Sequence, residues 1–518
     1  MLINTDFSHI EQANPYVAMK RSYLAEHLAM LQRQCMHLNI PALIIVEGWE
    51  SSGKGYVINE LARELDTRAF SVHVFERDGE EEEKRSFSWR FWTRIPAKGD
   101  FAIFDRSSYY DMMNDLSLSK SDIKKNIRRI RDAEKMLYDD GTVILKFFLN
   151  ITQKTQKTRI SELTGDDNRK FLITKNDTDQ NKHYKKYQKH FSDILNQSGF
   201  AFAPWHLVSA EDRKAASKYI LGTSIRLLQE GVDRHLSKQK TAKTFIREYQ
   251  RETTYLQDLK TNLVLGEEAY TKKSKALQQE AQELAYALYT NKVPTILVFE
   301  GMDAAGKGGA IKRLTKSMDP RGYTVNPTSA PSDAAKDHHY LWRFYNNFPK
   351  QGVMSVFDRS WYGRVLVERV EGFADPAEWE RAYGEITAME QELADFGALI
   401  LKFFIYIDKD EQYKRFLARQ EDKPYKLTDE DWRNRDKWDA YIEAGNEMID
   451  RTSTATAPWI LVEGNNKPYA RVKVLAEFNQ RARAKLQELQ KKIDGQALAQ
   501  IKTVLPHPTG IARRQDLP

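Results

Sequence analysis

Cysteine is nearly absent from this chain. Its 518 residues include a single one, Cys35, so no disulfide can form within the chain, and we expect a reducing cytoplasm. No apolar run approaches the roughly 20 residues that a transmembrane helix needs. The first residues also lack the basic and apolar regions of a signal peptide. These absences predict a cytoplasmic protein with no membrane partner.

The chain also lacks a large excess of charge of either sign. Its 80 Lys and Arg residues face 73 Asp and Glu residues, which gives a net charge of +7. This balance permits an anionic partner without naming one. Because no RNA- or DNA-reading module accompanies it, nucleic acid is disfavoured as the partner. The length exceeds that of one ordinary core and predicts two domains.

The clearest chemical signal is the stretch from Ile296 to Gly309, which reads ILVFEGMDAAGKGG. Four apolar residues predict a buried strand, and the glycines and lysine predict a phosphate-binding turn into a helix. Backbone N–H groups point into such a turn, and Lys307 would add its ammonium. The pattern departs from G-x-x-x-x-G-K-[ST] only at Gly308, so Asp303 is the candidate for the missing metal-binding oxygen. The candidate phosphate-binding residues of this loop are Gly301, Ala305, Gly306, Gly308 and Gly309.

The same pattern occurs twice. Lys307 follows Lys54 by 253 positions, and the surrounding residues keep that spacing. The further matches are Gly48 with Gly301, Trp89–Phe91 with Trp342–Phe344, and Phe104–Ser107 with Phe357–Ser360. Later matches drift to spacings of 256 and 254, as short loop changes would cause. The chain is therefore a tandem duplication in which each copy forms a domain.

Each copy alternates short apolar runs with helical patterns, which predicts an α/β domain with a five-stranded parallel sheet flanked by helices. In the second copy the predicted strands are Thr295–Glu300, Tyr323–Asn326, Val353–Asp358, Leu399–Ile405 and Trp459–Val462. We expect an N-terminal domain over residues 1–235, a polar linker over 236–253, a catalytic domain over 254–495 and a poorly ordered tail over 496–518.

A second motif runs from Val356 to Arg369. Asp358 ends a predicted strand, and ligands of open α/β sheets bind at the carboxyl ends of strands. Asp358 is therefore a candidate metal or water-shell ligand, and Arg359 and Arg364 are candidates for binding phosphate oxygens. The alternative for Asp358 and Arg359 is a local salt bridge at the strand end.

A third motif lies between Arg415 and Trp438 and predicts a basic helical hairpin, where nucleotide kinases carry a closing lid. A solvated charged face is the ordinary alternative for such a charge run. The candidate phosphate-binding residues of this hairpin are Arg419, Lys426, Arg433, Arg435 and Lys437.

Together these motifs resemble the polyphosphate kinase 2 family over roughly residues 16–225 and 266–490. The resemblance rests on the loop, on the Asp-Arg-Ser-Trp-Tyr box that begins at Asp358, and on the hairpin pattern. It implies a P-loop kinase fold related to thymidylate kinase, a lid, Mg²⁺ (with Mn²⁺ as a substitute) and inorganic polyphosphate as donor. Members with two fused domains use AMP and make ADP. The wider family commonly has Asn after Trp-Tyr, whereas this chain has Gly363. The resulting Trp-Tyr-Gly-Arg sequence is similar to that of the AMP-using subgroup.

The resemblance also implies roles for these residues. Lys307 and the hairpin cations would neutralise polyphosphate, and Mg²⁺ would lie near Asp303 and Asp358. Arg359 and Arg364 would guide AMP, whose phosphate is already anionic and needs no general base. Glu368 would support the acceptor side. Four alternatives stay open: ADP or GDP as acceptor, ATP as donor, a protein that binds a phosphodiester backbone, and association into a homodimer.

The first copy keeps Gly48, Gly53, Lys54 and the Asp105–Arg106 pair but changes the other candidate positions. The replacements are Glu50 for Asp303, Tyr56 for Gly309, Asp111 for Arg364, Leu172 for Lys426, Asp179 for Arg433 and Asn181 for Arg435. We therefore predict that the first copy is inactive and has a structural or polyphosphate-guiding role.

Overall fold

A computed structural model of the protein describes residues 2–7, 13–75, 79–240, 249 and 252–499. The chain divides into two compact units. As far as they are described, the first comprises Met1–Glu83, Phe87–Thr244 and Pro331–Trp342, and the second comprises Lys84–Ser86, Phe245–Ala330 and Arg343–Pro518. In the described ranges, no helix is long and apolar enough to cross a membrane.

Each unit is built on a five-stranded parallel sheet. The strands of the first sheet are β1 (Ala42–Gly48), β2 (Phe70–Val74), β3 (Phe101–Asp105), β4 (Val143–Asn150) and β5 (Trp205–Ser209). Those of the second are β6 (Thr295–Gly301), β7 (Tyr323–Pro327), β8 (Met354–Asp358), β9 (Leu399–Tyr406) and β10 (Trp459–Glu463). The orders β2-β3-β1-β4-β5 and β7-β8-β6-β9-β10 are equivalent, which confirms the predicted duplication of a parallel α/β fold.

Helices connect the strands in both copies. Those of the N-terminal copy are α1 (Arg21–His37), α2 (Lys54–Ala62), α3 (Glu80–Glu83), α4 (Trp89–Trp92), α5 (Tyr110–Asn114), α6 (Lys120–Asp139), α7 (Gln153–Thr164), α8 (Lys175–Lys182), α9 (Tyr184–Ser198) and α10 (Arg213–Lys240). Those that follow are α11 (Glu267–Thr290), α12 (Lys307–Thr315), α13 (Asp333–Lys336), α14 (Trp342–Tyr345), α15 (Val367–Val370), α16 (Pro376–Asp395), α17 (Lys409–Asp422), α18 (Asp429–Asp436), α19 (Trp438–Thr452) and α20 (Lys467–Ala499). Short 3₁₀ turns occur at Leu2–Asn4, Lys170–Leu172, Pro320–Gly322, Trp361–Arg364 and Pro424–Lys426.

The central strands of both sheets are buried on both faces. All eight residues of β9 are buried, as are the first six of β6. Strands covered by helices on both sides read as continuous apolar runs rather than as alternating ones. This is why the sequence indicates them clearly.

The order of the strands places the phosphate-binding loop at a switch point. β6 pairs with β8 on one side and with β9 on the other, in the registers Phe299↔Asp358 and Gly301↔Ile405. Connections that leave neighbouring strands in opposite directions open a crevice at their carboxyl ends. The loop after β6 and the carboxylate of Asp358 both lie at this crevice.

Two of the predicted boundaries differ from the observed elements. The predicted linker at 236–253 begins inside α10, which continues to Lys240, and residues 241–248 and 250–251 lie outside the described residues. Likewise, α20 continues to Ala499, past the predicted start of the tail at residue 496, and residues 500–518 are not described. Leu, Lys and Gln at residues 236–240 and Gln, Ala and Leu at residues 496–499 are strong helix formers, so composition alone marks the ends poorly.

Candidate active site

The loop between β6 and α12 is shaped by three residues with positive φ. Gly301 has φ +139°, and a Cβ there would lie 2.1 Å from the carbonyl oxygen of Ile405. Ala304 has φ 62° and Gly306 has φ 106°. The loop therefore packs closely against β9 and turns its backbone N–H groups towards one concavity.

Lys307, the first residue of α12, folds back over this loop. Its Nζ donates to the carbonyl oxygens of Gly301 at 2.8 Å and Met302 at 3.2 Å. Burial, together with the nearby Arg359, lowers the pKa of Lys307, while neighbouring carboxylates oppose that shift. Among the described residues, no carboxylate forms an ion pair with Lys307. Its ammonium is thus placed at the loop and remains able to meet an anion.

Two residues of α17 hold the loop from the other side. Arg415 donates to the carbonyl oxygens of Ala304 and Ala305, each at 3.0 Å. Its second Nη atom donates to the carbonyl of Gly464 at 2.7 Å, beyond β10. Gln412 donates to the carbonyl of Asp303 at 3.2 Å. These bonds fix the loop against the sheet before any ligand binds.

Asp303 connects the loop to the other two motifs. Its Oδ1 lies 2.9 Å from Nη2 of Arg359, and its Oδ2 accepts a 2.9 Å hydrogen bond from Asn434 of α18. Arg359 has φ 63° and is partly exposed. The structure therefore brings Asp303 and Arg359 together, and it seats the hairpin on the loop through Asn434.

Asp358 lies beside the same loop with an open carboxylate. A Cβ added to Gly308 would lie 3.5 Å from its Oδ2, so glycine leaves space on this side. The side chain of Asp358 forms no hydrogen bond or ion pair within the described ranges. These ranges also contain no cluster of three or more metal-ligating side chains. Two carboxylates, Asp303 and Asp358, nevertheless fit a magnesium-like cation, which keeps waters and substrate oxygens as its other ligands.

A buried carboxyl group lies directly below the loop. Glu300 accepts a 2.7 Å hydrogen bond from the hydroxyl of Ser360, the residue after Arg359. Burial raises the pKa of Glu300, against the opposing effects of Ser360 and Lys307. The bond ties the end of β6 to the Asp-Arg-Ser box.

Arg364 and Glu368 meet on the side of the box away from the loop. Glu368 lies 3.1 Å from Nε of Arg364 and 4.0 Å from a guanidinium nitrogen of Arg343. Arg364 also lies 3.4 Å from Glu378. The predicted acceptor-side residues are therefore adjacent, and Arg343 joins them.

The aromatic residues of the box belong to the core. Trp361 and Tyr362 are almost fully buried, and both donate to the same carboxylate oxygen of Glu390. Lys402 of β9 donates to Glu390, to the Tyr362 hydroxyl and to the carbonyl of Thr452, each at 2.8 Å. The aromatic pair anchors the box and holds the neighbouring Asp358 and Arg359 at the crevice.

The hairpin cations gather on a carboxylate that was not predicted. Glu371, at the end of α15, lies 3.1 Å from Nε of Arg433 and 2.9 Å from Nζ of Lys437. The hydroxyl of Tyr441 donates to the other oxygen of Glu371 at 3.3 Å. Glu371 itself is nearly buried. Two of the five predicted hairpin cations therefore already have an internal partner.

The other hairpin candidates lie in different surroundings. Arg435 donates to the carbonyl of Lys409 at 2.6 Å and stacks 5.2 Å from the ring centre of Tyr413, so it binds the hairpin itself. Arg419 lies near Arg415, whose pKa it helps to lower. The side chain of Lys426 is not among those described.

A further basic group near the loop was missed in the sequence. A Cβ on Gly309 would lie 3.7 Å from Arg471 and 3.8 Å from Arg313. Lys467, at the start of α20, has a pKa lowered by burial and by the charges of Arg415 and Arg471. No described carboxylate forms an ion pair with Lys467 or Arg471. Their signal in the sequence is weak because they follow the last strand and fall within no motif.

Other missed residues carry a signal that is visible in hindsight. Arg159 and Gln156 match Arg415 and Gln412 at the spacing of 256 that also relates Lys146 to Lys402. Arg159 makes equivalent bonds to the carbonyl oxygens of the N-terminal loop. A side chain kept in both copies serves the shared loop geometry, so aligning the copies would have found it.

The comparisons with known proteins agree with this arrangement. The family model for polyphosphate kinase 2 matches residues 13–236 and 264–490. A polyphosphate:AMP phosphotransferase of Pseudomonas aeruginosa is 38% identical over 449 residues, which is 85% of this chain and 90% of that protein. An ADP-polyphosphate phosphotransferase 2 of Rhizobium meliloti is 40% identical over 199 residues, covering 38% of this chain and 65% of that protein. A crystal structure named for polyphosphate kinase 2, from Pseudomonas aeruginosa PA01, superposes with a TM-score of 0.78 at 34% identity, covering 93% of this chain and 97% of that one.

Proposed function

The chain belongs to the polyphosphate kinase 2 family, and from this premise we propose that it transfers the terminal phosphoryl group of inorganic polyphosphate to AMP. The products are ADP and a polyphosphate chain shortened by one phosphate. The observation that carries the proposal is the second loop, where Lys307 forms no ion pair with any described carboxylate and Asp358 lies beside it. We take AMP as the acceptor because the relatives named for AMP match most of the chain.

In this reaction the loop holds the polyphosphate end. Backbone N–H groups and the ammonium of Lys307 neutralise the transferred group, and Arg359 lies across the loop from Lys307. Phosphoryl transfer depends mainly on such positioning and charge neutralisation. The AMP phosphate oxygen attacks the terminal phosphorus of polyphosphate in line with the leaving oxygen. No base has to activate it, because it is already anionic. Arg364, held by Glu368, faces the acceptor side of the box.

We assign Mg²⁺, with Mn²⁺ as a substitute, to Asp303 and Asp358. When bound, the ion would neutralise charge on the phosphate oxygens that meet at the loop. Two carboxylates suffice, because magnesium in kinase sites takes its remaining ligands from water and substrate. We propose that the reaction takes place in the cytoplasm, because the single cysteine, Cys35, is buried and forms no disulfide.

The hairpin cations complete the donor side. Arg433 and Lys437 are held by Glu371, and Arg419 lies near Arg415 and Lys467 of the basic group. A separate, structural role is proposed for Arg435, which donates to the backbone carbonyl of Lys409 at the start of α17.

Two measurements test the proposal. Purified protein supplied with Mg²⁺, AMP and long-chain polyphosphate, but no ATP, is expected to produce ADP. Production only after ATP is added would indicate an ATP-dependent kinase instead. Replacing AMP by ADP tests the second candidate, ATP synthesis from ADP, which the match to an ADP-polyphosphate phosphotransferase favours.

A pair of lysine variants tests which copy is catalytic. Lys307→Ala is expected to lower ADP formation by roughly 10²- to 10³-fold, as for the loss of one preorganised donor to a reacting oxygen. The matched variant Lys54→Ala is expected to leave most of the activity. Equal losses in the two variants would contradict a single catalytic copy.

A further inference from the structure

The N-terminal loop keeps the backbone of a phosphate-binding loop. Gly53 has φ 101° and Ser51 has φ 57°, close to the values of Gly306 and Ala304 in the second loop. A Cβ on Gly48 would lie 2.5 Å from the carbonyl oxygen of Leu149, so this loop is also packed against its neighbouring strand. The concavity formed by the backbone N–H groups is therefore present in both copies.

The supports of the two loops are also equivalent. Arg159 donates to the carbonyl of Ser52 at 2.7 Å and to that of Ala210 at 2.8 Å. Gln156 donates to the carbonyl of Glu50 at 3.1 Å. These bonds correspond to those of Arg415 and Gln412 in the second copy. The first loop is thus supported in the same way as the second, and the N–H of Glu50 also donates to Oε1 of Gln180 at 2.8 Å.

The two loops differ in what the lysine meets. Oε2 of Glu50 lies 3.2 Å from Nζ of Lys54 and 3.4 Å from Nη2 of Arg106. Glu50 is 4% exposed and Lys54 is 7% exposed, so this ion pair is closed to water. In the second copy the shorter Asp303 reaches Arg359 but forms no ion pair with Lys307. One additional C–C bond, about 1.5 Å, accounts for the difference.

The geometry points to a specific role for this carboxylate. We propose that Glu50 occupies the anion position of the N-terminal loop, so that this copy is an intact site for a terminal phosphate closed by its own side chain. Oε1 of Glu50 has no hydrogen-bond partner among the described residues. The carboxylate thus meets both cations through its other oxygen, Oε2, and Tyr110 also interacts with it.

The proposal predicts what happens when the carboxylate is removed. A buried cation that loses its partner is strongly destabilising, so Lys54 would require another anion in place of Glu50. The oxygens of a terminal phosphate carry the negative charge that this cation needs, and they can accept its hydrogen bonds. Removing Glu50 should therefore create a second phosphate-binding site rather than an empty loop.

The experiment measures tripolyphosphate binding by calorimetry on full-length Lys307→Ala protein, in which the second loop is disabled. Adding Glu50→Ala or Glu50→Asp is expected to tighten binding at least tenfold. Glu50→Asp copies the acid of the second loop and keeps the charge, so it guards against a variant that fails to fold. Adding Lys54→Ala to either variant should abolish the gain.

Glu64→Gln is the matched control, because it removes a carboxylate of the same copy that pairs with Arg21 away from the loop. Folded Glu50 variants that bind no better than their parent would overturn the proposal. So would an equal gain in Glu64→Gln, or a parent whose binding already depends on Lys54. The measurement needs neither AMP nor transfer, so its outcome is independent of the proposed function.

Discussion

At one position in each loop, side-chain length decides which cation an acidic residue meets. Asp303 binds Arg359 and Asn434, and Lys307 is left to the loop carbonyls. Glu50 extends one methylene further and reaches Lys54. Since the two loop backbones agree closely, the chemical difference between the copies lies in these side chains rather than in the fold.

A second feature at this scale is shared by both copies. Lys402 and Glu390 form a fully buried ion pair below the Asp-Arg-Ser-Trp-Tyr box. Lys146 and Glu134 form the same pair in the N-terminal copy, at the same distance of 2.8 Å. A pair kept where the catalytic candidates have changed serves folding, because it fixes a strand to a helix in each unit.

Lys402→Met is expected to lower the free energy of unfolding by about 3–5 kcal/mol, because Glu390 would remain buried without its cation. Urea denaturation of the full-length protein measures this loss. The double variant Lys402→Met/Glu390→Gln is the control and should recover part of the lost stability, since it leaves no unpaired charge and keeps an acceptor for Trp361 and Tyr362. A double variant as unstable as the single one would contradict the explanation.

At the scale of elements, the hairpin is held in place by contacts of three neighbouring residues near its C-terminal end. Asn434 of α18 bonds to Asp303, and Arg433 and Lys437 bond to Glu371. The cations that would bind polyphosphate are therefore neutralised in advance. We expect a phosphate chain to compete with Glu371 for Arg433 and Lys437, so these two ion pairs would set how firmly the hairpin is held.

Glu371→Gln is expected to raise hydrogen–deuterium exchange in the segment Asp429–Asp436 several-fold, because the closed hairpin loses two charged contacts. Mass spectrometry of peptides from this segment measures the change. Glu430→Gln is the control, since it removes a hairpin carboxylate that forms no ion pair in the described structure. Equal exchange in the two variants would show that Glu371 does not hold the hairpin.

The sequence predicted elements better than it predicted contacts. All five strands of the second sheet were predicted to within one residue at each end. The central strands β6 and β9 are clearest, because buried parallel strands appear as uninterrupted apolar runs, whereas β7 is a partly exposed edge strand. Asp375 and Glu378 form the capping box of α16. The partner of Arg433 could not be predicted, since Glu371 precedes it by 62 positions and belongs to another element.

The same limit explains the outcome for the site. Lys307, Asp303 and Arg359 lie in motifs with fixed loop geometry, and the structure brings them together. Arg435 lies in an equally basic segment, but the side of the helix on which it falls directs it to the hairpin backbone. Composition marks a basic segment, whereas only the packed structure shows which of its charges face the crevice.

At the scale of the whole chain, two copies of one fold carry different charges around equivalent loops. The basic positions of the second copy are Arg313, Arg419, Lys467 and Arg471, which correspond to Glu60, Leu163, Arg213 and Ser217 in the first. At these four positions the second copy thus has four cations, whereas the first copy has one cation and one carboxylate. A polyanion is expected to distinguish the copies by this charge before it meets either loop.

The last prediction follows from that asymmetry. Lys467→Ala and Arg471→Ala are each expected to lower kcat/KM for long-chain polyphosphate by about 10- to 100-fold, since a charge-assisted hydrogen bond contributes roughly 1.5–3 kcal/mol. Both should also weaken the dependence of kcat/KM on salt, because exposed charges are screened over about 10 Å at 0.1 M ionic strength. Steady-state rates at several salt concentrations measure both effects.

Arg213→Ala is the matched variant, because Arg213 lies beside Gly53 just as the basic group of the second copy lies beside its loop. It should leave kcat/KM and its salt dependence unchanged. If Arg213→Ala lowered them as much as Lys467→Ala, polyphosphate would be using the N-terminal copy as well. Charge would then not separate the two halves, and a carboxylate in the first loop would have to be displaced during the normal reaction.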